Sequence, residues 1–333
     1  MVSIGVQTKN VVYDAELKPG VQYTADDVTE NMTASGYQMM KRAGFSCADF
    51  SLNAYLLNTS LYKFELNRFF DQSVNELEDF FRIHKEGASS AGLTISQMHM
   101  PYPIYVPDGK KELNDYLWNV VAPKSMQICS FFECPHIVIN GFKLSRNLGS
   151  EEAEWEQTER FLNSLAPMAK ELGITICIEN LYDVIGGHVV EGPCCDVRKA
   201  VERIDRLNEK YHAEVLGFCF DTGHANLVGI DFEGFITALG SRLKVLHIHD
   251  NDGVGDLHQI PFTFTRTREN TSSTDWDGFI RGLKRIKYDR VLSFETAPVL
   301  TAFPDEMKEQ TLKFIAQIGE YFVGKFKKED VTR

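Results

Sequence analysis

The feature that most constrains the fold is an alternation of short apolar runs with longer segments of helical periodicity. Eight runs rich in Ile, Val, Leu and Phe are apolar on successive residues, as expected of strands whose two faces are both covered. They span residues 4–8, 45–52, 94–98, 137–139, 174–178, 216–220, 243–248 and 291–294. Strands that alternate with helices predict a parallel sheet.

Four of the intervening segments carry clear helical signals. Residues 151–172 place apolar side chains on one stripe, and residues 196–211 begin at Asp196, which suits an N-cap. Residues 276–287 and 306–322 follow the same pattern. Eight strand–helix units fit a closed barrel better than an open sheet, and no Gly-x-Gly-x-x-Gly follows any strand. The predicted fold is α/β, a single (β/α)8 TIM barrel spanning residues 1–333.

Composition narrows the classes of partner. Asp and Glu total 47 against 35 Lys and Arg, a formal net charge of −12, and an acidic surface repels nucleic-acid phosphates. No polybasic run or membrane-length apolar run is present, so neither nucleic acid nor a membrane is expected as a partner. The seven cysteines are odd in number and lack a C-x-x-C pair. Reduced thiols in a cytoplasmic protein without a signal peptide are therefore predicted.

A single polar residue closes six of the apolar runs. These residues are His99, Asn140, Glu179, Asp221, His247 and Glu295. Strand ends meet at the C-terminal mouth of a barrel, where barrel enzymes keep their chemistry. Alone, such a carboxylate is more often a helix cap and such a histidine a hydrogen-bonded core residue. Acidic residues or histidines after five strands together favour a shared site.

The residue types in this group predict a metal centre. Glu179, Asp221 and Glu295 would repel one another unless a cation joined them, and His247 adds an imidazole. Oxygen-rich ligation favours Mn, Mg or Co over the sulfur-rich sites that select Zn. One divalent ion is predicted, with Mn preferred and Mg, Co or Zn as alternatives. His249 shares a strand face with His247 and is the alternative ligand.

Further polar and aromatic residues near the strand ends are candidates for substrate contact. The loops 100–110 and 250–275 are long, as loops that build barrel active sites often are. The substrate-binding candidates are His99, Asn140, His224, His249, Asp256 and His258. Asp256 and His258 could instead reach a second ion. An apolar wall is predicted from Tyr102, Phe262, Phe264 and Trp276, and Arg266 and Arg268 could bind an anion.

Six segments together carry a family resemblance. They read SQMHMPYP, TICIENL, GFCFDTGHANL, LHIHDNDGVGDLHQIPF, TDWDGFIRGLKRIKYD and VLSFE. In this order and spacing the chain resembles the xylose isomerase-like barrel superfamily of sugar phosphate isomerases and epimerases. That group includes ketose 3-epimerases, inosose dehydratases, hydroxypyruvate isomerases and endonuclease IV. The resemblance covers most of the chain and is strongest from His99 onward.

The resemblance implies roles for individual residues and a homo-oligomeric state. Four residues match the metal ligands of the family: Glu179, Asp221, His247 and Glu295. Four others match polar positions around the site: His99, His224, Asp256 and His258. Two departures argue against narrower activities. Asn140 stands where the nuclease branch has a zinc-binding histidine, and Gly253 stands where ketose 3-epimerases usually have an arginine.

The sequence therefore predicts a metal-dependent isomerase or epimerase of a sugar, keto-sugar or cyclitol. Glu179 and Glu295, each with one oxygen free, would move a proton next to a substrate carbonyl through an enediolate. Epimerisation, isomerisation and inosose-type dehydration all remain open. The competing classes are an endonuclease IV-like phosphodiesterase, which the net charge and Asn140 argue against, and a non-catalytic sugar- or ion-binding barrel.

Overall fold

A computed structural model describes residues 2–12, 30–144, 150–264 and 274–327. The strands of this part are β1 Ser3–Gln7, β2 Cys47–Ser51, β3 Thr94–His99, β4 His136–Asn140, β5 Thr175–Glu179, β6 Tyr182–Ile185, β7 His188–Glu191, β8 Leu216–Asp221, β9 Leu243–His247 and β10 Val291–Phe294. Eight of them form one parallel sheet in the order β10-β1-β2-β3-β4-β5-β8-β9. All eight predicted strands are present, with ends shifted by two residues or fewer.

Backbone hydrogen bonds between the last strands close this sheet into a barrel. The Ile248 amide donates to the Ser293 carbonyl at 2.9 Å, and the Glu295 amide donates to the Ile248 carbonyl at 3.1 Å. Closure removes the free edges of the sheet. The predicted (β/α)8 barrel is therefore confirmed.

Helices occupy the connections between the strands. The described α-helices are α1 Glu30–Ala43, α2 Asn58–Leu61, α3 Val74–Ser90, α4 Lys111–Tyr116, α5 Ala122–Phe131, α6 Glu151–Leu172, α7 Val197–Tyr211, α8 Thr222–Leu227, α9 Phe232–Leu239, α10 Trp276–Arg285, α11 Ala297–Ala302 and α12 Lys308–Lys327. The four predicted helices match α6, α7, α10 and α12, the last of which begins after a 3-10 turn at Asp305–Met307. No helix in these ranges is both long and apolar enough to cross a bilayer.

The sequence analysis missed one β-hairpin. Strands β6 and β7 pair as an antiparallel hairpin between β5 and α7, outside the barrel sheet. Gly186 and Gly187 form its turn, both with positive φ, which two-residue hairpin loops require and glycine adopts at little cost. The hairpin could have been predicted from the Gly-Gly pair, which lies between two short stretches that contain β-branched residues.

The barrel interior is layered. Val138, Cys177, Cys219 and Val245 form a buried cluster of their own on four neighbouring strands. Because strand side chains alternate, residues two positions further along point to the same interior. Those residues are Asn140, Glu179, Asp221 and His247. A small apolar layer thus lies directly below the polar residues at the mouth. All seven cysteines are buried and unpaired.

The N-cap of α7 provides a test of the local structure. Asp196 Oδ1 accepts hydrogen bonds from the backbone amides of Arg198 and Lys199 at 3.0 and 3.4 Å. Asp196→Ala is expected to lower the free energy of unfolding by about 1 kcal/mol, because those amides lose their partner. Urea denaturation followed by circular dichroism measures the change.

Arg198→Ala is the matched control. The Arg198 side chain is exposed and lies 3.6 Å from the Asp196 carboxylate, so this change removes an exposed ion pair and leaves the cap. Such pairs contribute about 0–1 kcal/mol, and the loss should be smaller than for Asp196→Ala. Equal losses in the two variants would contradict the capping role.

Candidate active site

Four side chains meet at the C-terminal mouth of the barrel. Glu179, Asp221 and His247 end β5, β8 and β9, and Glu295 follows β10. One potential ligand atom from each lies within 4.8 Å of the others. His247 Nδ1 is 2.7 Å from Glu179 Oε1, 3.4 Å from Glu295 Oε2 and 3.9 Å from Asp221 Oδ2. The structure thus brings together the four residues predicted as metal ligands.

The charges in this quartet are strongly coupled. Burial favours the neutral form of Glu179, yet His247 and His99 lower the pKa of this carboxyl well below its ordinary value. Burial likewise disfavours the His247 cation, but Cys219, Glu295 and Glu179 raise the pKa of the imidazole well above its ordinary value. The carboxylates and the imidazole thus stabilise one another's charged forms. Three carboxylates and one imidazole nitrogen form a donor set that suits a divalent cation.

Amide side chains hold the outer oxygens of both glutamates. Asn140 Nδ2 donates to Glu179 Oε2 at 2.6 Å, and His99 Nε2 lies 3.5 Å from the same oxygen. Gln7 Nε2 donates to Glu295 Oε1 at 2.8 Å. The sequence analysis expected each glutamate to keep one oxygen free; in the structure that oxygen accepts one amide hydrogen. Gln7 was missed, although it ends the apolar run of β1 as the other site residues end theirs.

Asp49, in β2, is a second residue that the sequence analysis missed. Its side chain is fully buried, and Oδ2 lies 3.4 Å from His247 Nε2 and accepts a hydrogen bond from Gln97 Nε2 at 2.8 Å. A register shift after Ala48 pairs Asp49 with Gln97. Asp49 Oδ1 and His247 Nε2 have no hydrogen-bond partner in the described part of the chain. Asp49 thus faces the remote nitrogen of His247 while Nδ1 faces the carboxylates.

His249 supports Asp221 from behind the quartet. Its Nε2 lies 3.0 Å from Asp221 Oδ2, and its ring stacks on His258 with centroids 4.0 Å apart. A Cβ at Gly223 would overlap the His249 ring, so only glycine fits there. His249 is fully buried and does not line the cavity. The expectation of substrate contact is therefore corrected, because Asp221 and Gly223 cover this side chain.

A second polar group lies beside the quartet. Asp256 Oδ2 is 3.4 Å from His224 Nε2 and 3.3 Å from His258 Nε2, and each imidazole contacts a backbone carbonyl through Nδ1 at 3.0 Å. Burial lowers the pKa of both histidines, but nearby carboxylates raise it to about 10 for His224 and about 9 for His258. Ligand atoms of His249, Asp256 and His258 also lie within 4.8 Å of one another.

The quartet opens into a cavity of about 410 Å³. Five of the six predicted substrate-binding residues line it, together with the two glutamates: His99, Asn140, His224, Asp256 and His258. Tyr102 belongs to its wall, as predicted. Lys143 and Tyr182 also line it, and both were missed because they lie beyond the strand ends.

The remaining aromatic residues lie elsewhere. Phe262, Phe264 and Trp276 do not line this cavity. Phe262 packs against Trp276, Tyr321 and Phe322, with ring centroids 5.7 to 5.8 Å away, so the loop that carries it turns toward α12. The predicted anion contacts Arg266 and Arg268 fall outside the described residues.

Three relatives in sequence were found. A protein of unknown function from Sinorhizobium fredii is 33% identical over 91 residues, which is 27% of each chain. Another from Methanocaldococcus jannaschii is 27% identical over 173 residues, covering 51% of this chain and 52% of that protein. The chain thus spans about a quarter and about half of these relatives. An inosose isomerase from Bacillus velezensis is 24% identical over 264 residues, covering 77% and 82%.

Solved structures share the fold along almost the whole chain. A D-allulose 3-epimerase from a Methylomonas species has a TM-score of 0.62 at 15% identity, covering 97% of this chain and 98% of that one. A D-psicose 3-epimerase from Clostridium cellulolyticum has a TM-score of 0.63 at 12% identity, covering 97% and 99%. A family model described as xylose isomerase-like TIM barrel matches residues 64–318. The chain therefore belongs to the xylose isomerase-like TIM barrel family.

Proposed function

We propose that this protein is a divalent-metal-dependent isomerase or epimerase of a sugar, keto-sugar or cyclitol. One observation carries the proposal. Glu179 and Glu295 both line the cavity, and each directs one oxygen toward His247 Nδ1 and gives the other to an amide donor. Strands β8 and β9 separate them in the barrel, so the two carboxylates approach a bound molecule from different sides.

The quartet would hold the metal through Glu179, Asp221, His247 Nδ1 and Glu295. Mn is the preferred ion, with Mg, Co or Zn as alternatives. When bound, such an ion would act as a Lewis acid on a carbonyl and an adjacent hydroxyl of the substrate. The position of Asp49 Oδ2, 3.4 Å from His247 Nε2, supports Nδ1 as the ligand atom, because histidine ligands commonly place their other nitrogen against a carboxylate.

The two glutamates would then move the proton. One removes it from the carbon next to the carbonyl, which gives an enediolate, and the other delivers it. Delivery to the opposite face of the same carbon gives an epimer, and delivery to the neighbouring carbon gives an aldose–ketose pair. Loss of a β-hydroxyl instead gives dehydration. Asn140 and Gln7 would keep the two carboxylates oriented, because each donates a hydrogen bond to one of them.

The surrounding polar residues would recognise hydroxyl groups of the substrate. His224 and His258 are held in place through Nδ1 and face Asp256 through Nε2. His99 contacts the Met100 carbonyl through Nδ1 at 2.6 Å, which leaves Nε2 on the Glu179 side. The inosose isomerase relative supports this reaction class, and a sugar-like small molecule is the proposed partner.

An endonuclease IV-like phosphodiesterase activity has less support. Asn140 takes the place of a histidine ligand, and its amide is already committed to Glu179. Among the described residues that line the cavity there is no arginine, the side chain best suited to bind phosphate in a bidentate manner.

Metal binding is the first test. Wild-type protein treated with chelator and titrated with Mn is expected to bind about one ion per chain by calorimetry and elemental analysis. Glu179→Gln and Glu295→Gln should each weaken binding by more than about 100-fold, because loss of a direct ligand should exceed the roughly 10–100-fold effect of an outer-shell change. The matched control Glu320→Gln changes an exposed residue of α12 and should bind as the wild type does.

The same samples then test the reaction. Mn-loaded wild-type protein incubated in D2O with ketoses and inososes should exchange a carbon-bound hydrogen for deuterium, detected by NMR, and chelator should stop the exchange. Absence of binding by Mn, Mg, Co and Zn, or unchanged affinity in both glutamine variants, would refute the metal-dependent proposal.

Asp49→Asn tests the support of the histidine ligand. Loss of the buried carboxylate should weaken Mn binding by about 10–100-fold, because His247 loses its oriented partner. A Co-loaded sample should show an altered visible spectrum, which a purely structural loss of stability would not produce. Asp289→Asn, at an exposed position, is the control. If Asp49→Asn folds and keeps the wild-type metal affinity and spectrum, Asp49 does not support the proposed metal site.

A further inference from the structure

The cavity has a second ring of side chains above the quartet. Tyr102, Lys143 and Tyr182 line it, and each stands three residues after the polar residue that ends β3, β4 or β5. Tyr102 and Lys143 lie in loops and Tyr182 begins β6, outside the barrel sheet, so all three lie further out than the ends of the barrel strands. We call Tyr102, Lys143, Tyr182 and the adjacent Asp183 the outer group.

We propose that the outer group binds a second, unphosphorylated sugar ring, so that the substrate is a keto-sugar bearing a glycosidic substituent. The inference rests on the proposed function of the quartet and names the class of substrate that this site takes. Three observations support it: the size of the cavity, the aromatic residues in its outer part, and the charge balance there.

Size is the first observation. The cavity of about 410 Å³ lies within the ~300–1,000 Å³ range of small-molecule sites. Its lining extends from the quartet to the outer group, so a ligand that fills it contacts both. Binding sites usually bury most of the surface of their ligand, which favours a molecule that extends from the quartet into the outer group.

Two tyrosines provide fixed ring faces in the outer part. The Tyr62 hydroxyl donates to the Tyr102 hydroxyl at 3.0 Å, and the Tyr102 amide donates to Asn53 Oδ1 at 3.0 Å. The Tyr182 ring lies 5.4 Å from the ring of His224 and has the Lys143 ammonium 5.4 Å from its centroid. Aromatic rings offer an apolar surface with an electron-rich face, which the C–H face of a pyranose ring complements.

The charges in the outer group are already balanced. Lys143 Nζ donates to the Tyr182 carbonyl at 2.6 Å and lies 3.7 Å from Asp183 Oδ1. Asp183 also lines the cavity. A phosphate at Lys143 would lie beside the Asp183 carboxylate and be repelled by it, so it would be poorly bound in the outer group. The neighbouring ammonium and carboxylate instead provide a donor and an acceptor for neutral hydroxyls.

The test compares ketoses that differ only in the outer substituent. Mn-loaded wild-type protein is given D-fructose, fructose 6-phosphate, and isomaltulose, lactulose and leucrose, in which D-fructose carries a hexose at different hydroxyls. Deuterium exchange in D2O gives kcat/KM, and calorimetry gives Kd. At least one disaccharide should exceed D-fructose by about tenfold in kcat/KM or in affinity, as expected from one additional stacked ring. Fructose 6-phosphate should fall below D-fructose.

Variants locate the effect in the outer group. Tyr182→Ala and Lys143→Ala should each reduce the ratio of disaccharide to D-fructose toward one. Tyr321→Ala and Lys170→Ala are the matched controls. Tyr321 is half-exposed on α12, and Lys170, like Lys143, donates to a backbone carbonyl. Both controls should keep the wild-type ratio.

The outcomes separate this inference from the proposed function. If D-fructose exchanges deuterium and no disaccharide exceeds it, the outer subsite is refuted and the isomerase proposal stands. If no ketose exchanges, the proposed function fails and calorimetry alone decides the subsite. Tighter binding of a disaccharide that is lost in Tyr182→Ala then supports it, and equal or absent binding of the disaccharides overturns it.

Discussion

The convergence of three carboxylates on one imidazole is the constraint on which the rest of the site depends. Glu179 and Asp221 are buried at the mouth of the barrel with Glu295 beside them, and buried like charges are costly unless they are compensated. Each of the three therefore has its own neutral or cationic neighbour. Asn140 holds Glu179, His249 backs Asp221, and Gln7 holds Glu295. These partners place the carboxylates where a single cation can be shared.

The same constraint explains why polar residues enter the barrel interior. Asp49 and Gln97 lie in β2 and β3, where a barrel core is otherwise apolar. Their hydrogen bond and the approach of Asp49 to His247 satisfy groups that would be expensive to bury alone. Val138, Cys177, Cys219 and Val245 form an apolar cluster two residues before the polar residues that end their strands. Polar and apolar side chains thus share the interior of the barrel.

The barrel and its four central residues could be predicted from the sequence because both depend on short-range periodicity. An apolar run predicts a strand, and the polar residue after the run is then expected at the C-terminal mouth of the barrel. This rule predicted the positions of Glu179, Asp221, His247 and Glu295. The rule missed Asp49, which lies inside its run, and placed His249 in contact with substrate because it considered alternation alone. Burial of His249 depends on Gly223 and Asp221 in another strand connection, and such tertiary packing leaves no periodic trace. Lys143 and Tyr182 were missed for a related reason, since the path of the chain beyond the barrel strands sets their positions.

Tyr102, Lys143 and Tyr182 each follow the residue that ends a barrel strand by three positions. This spacing affects which substitutions the barrel can accept. The inner residues are fixed by strand register, so any shift of one disturbs its neighbours around the whole ring. The outer residues lie in the connections that follow these strands, and their side chains can be exchanged without moving a barrel strand. The proposed chemistry and the proposed choice of substrate would thus rest on different parts of the chain. Substitutions in the outer group could then change which molecules bind while the proposed reaction centre keeps its geometry.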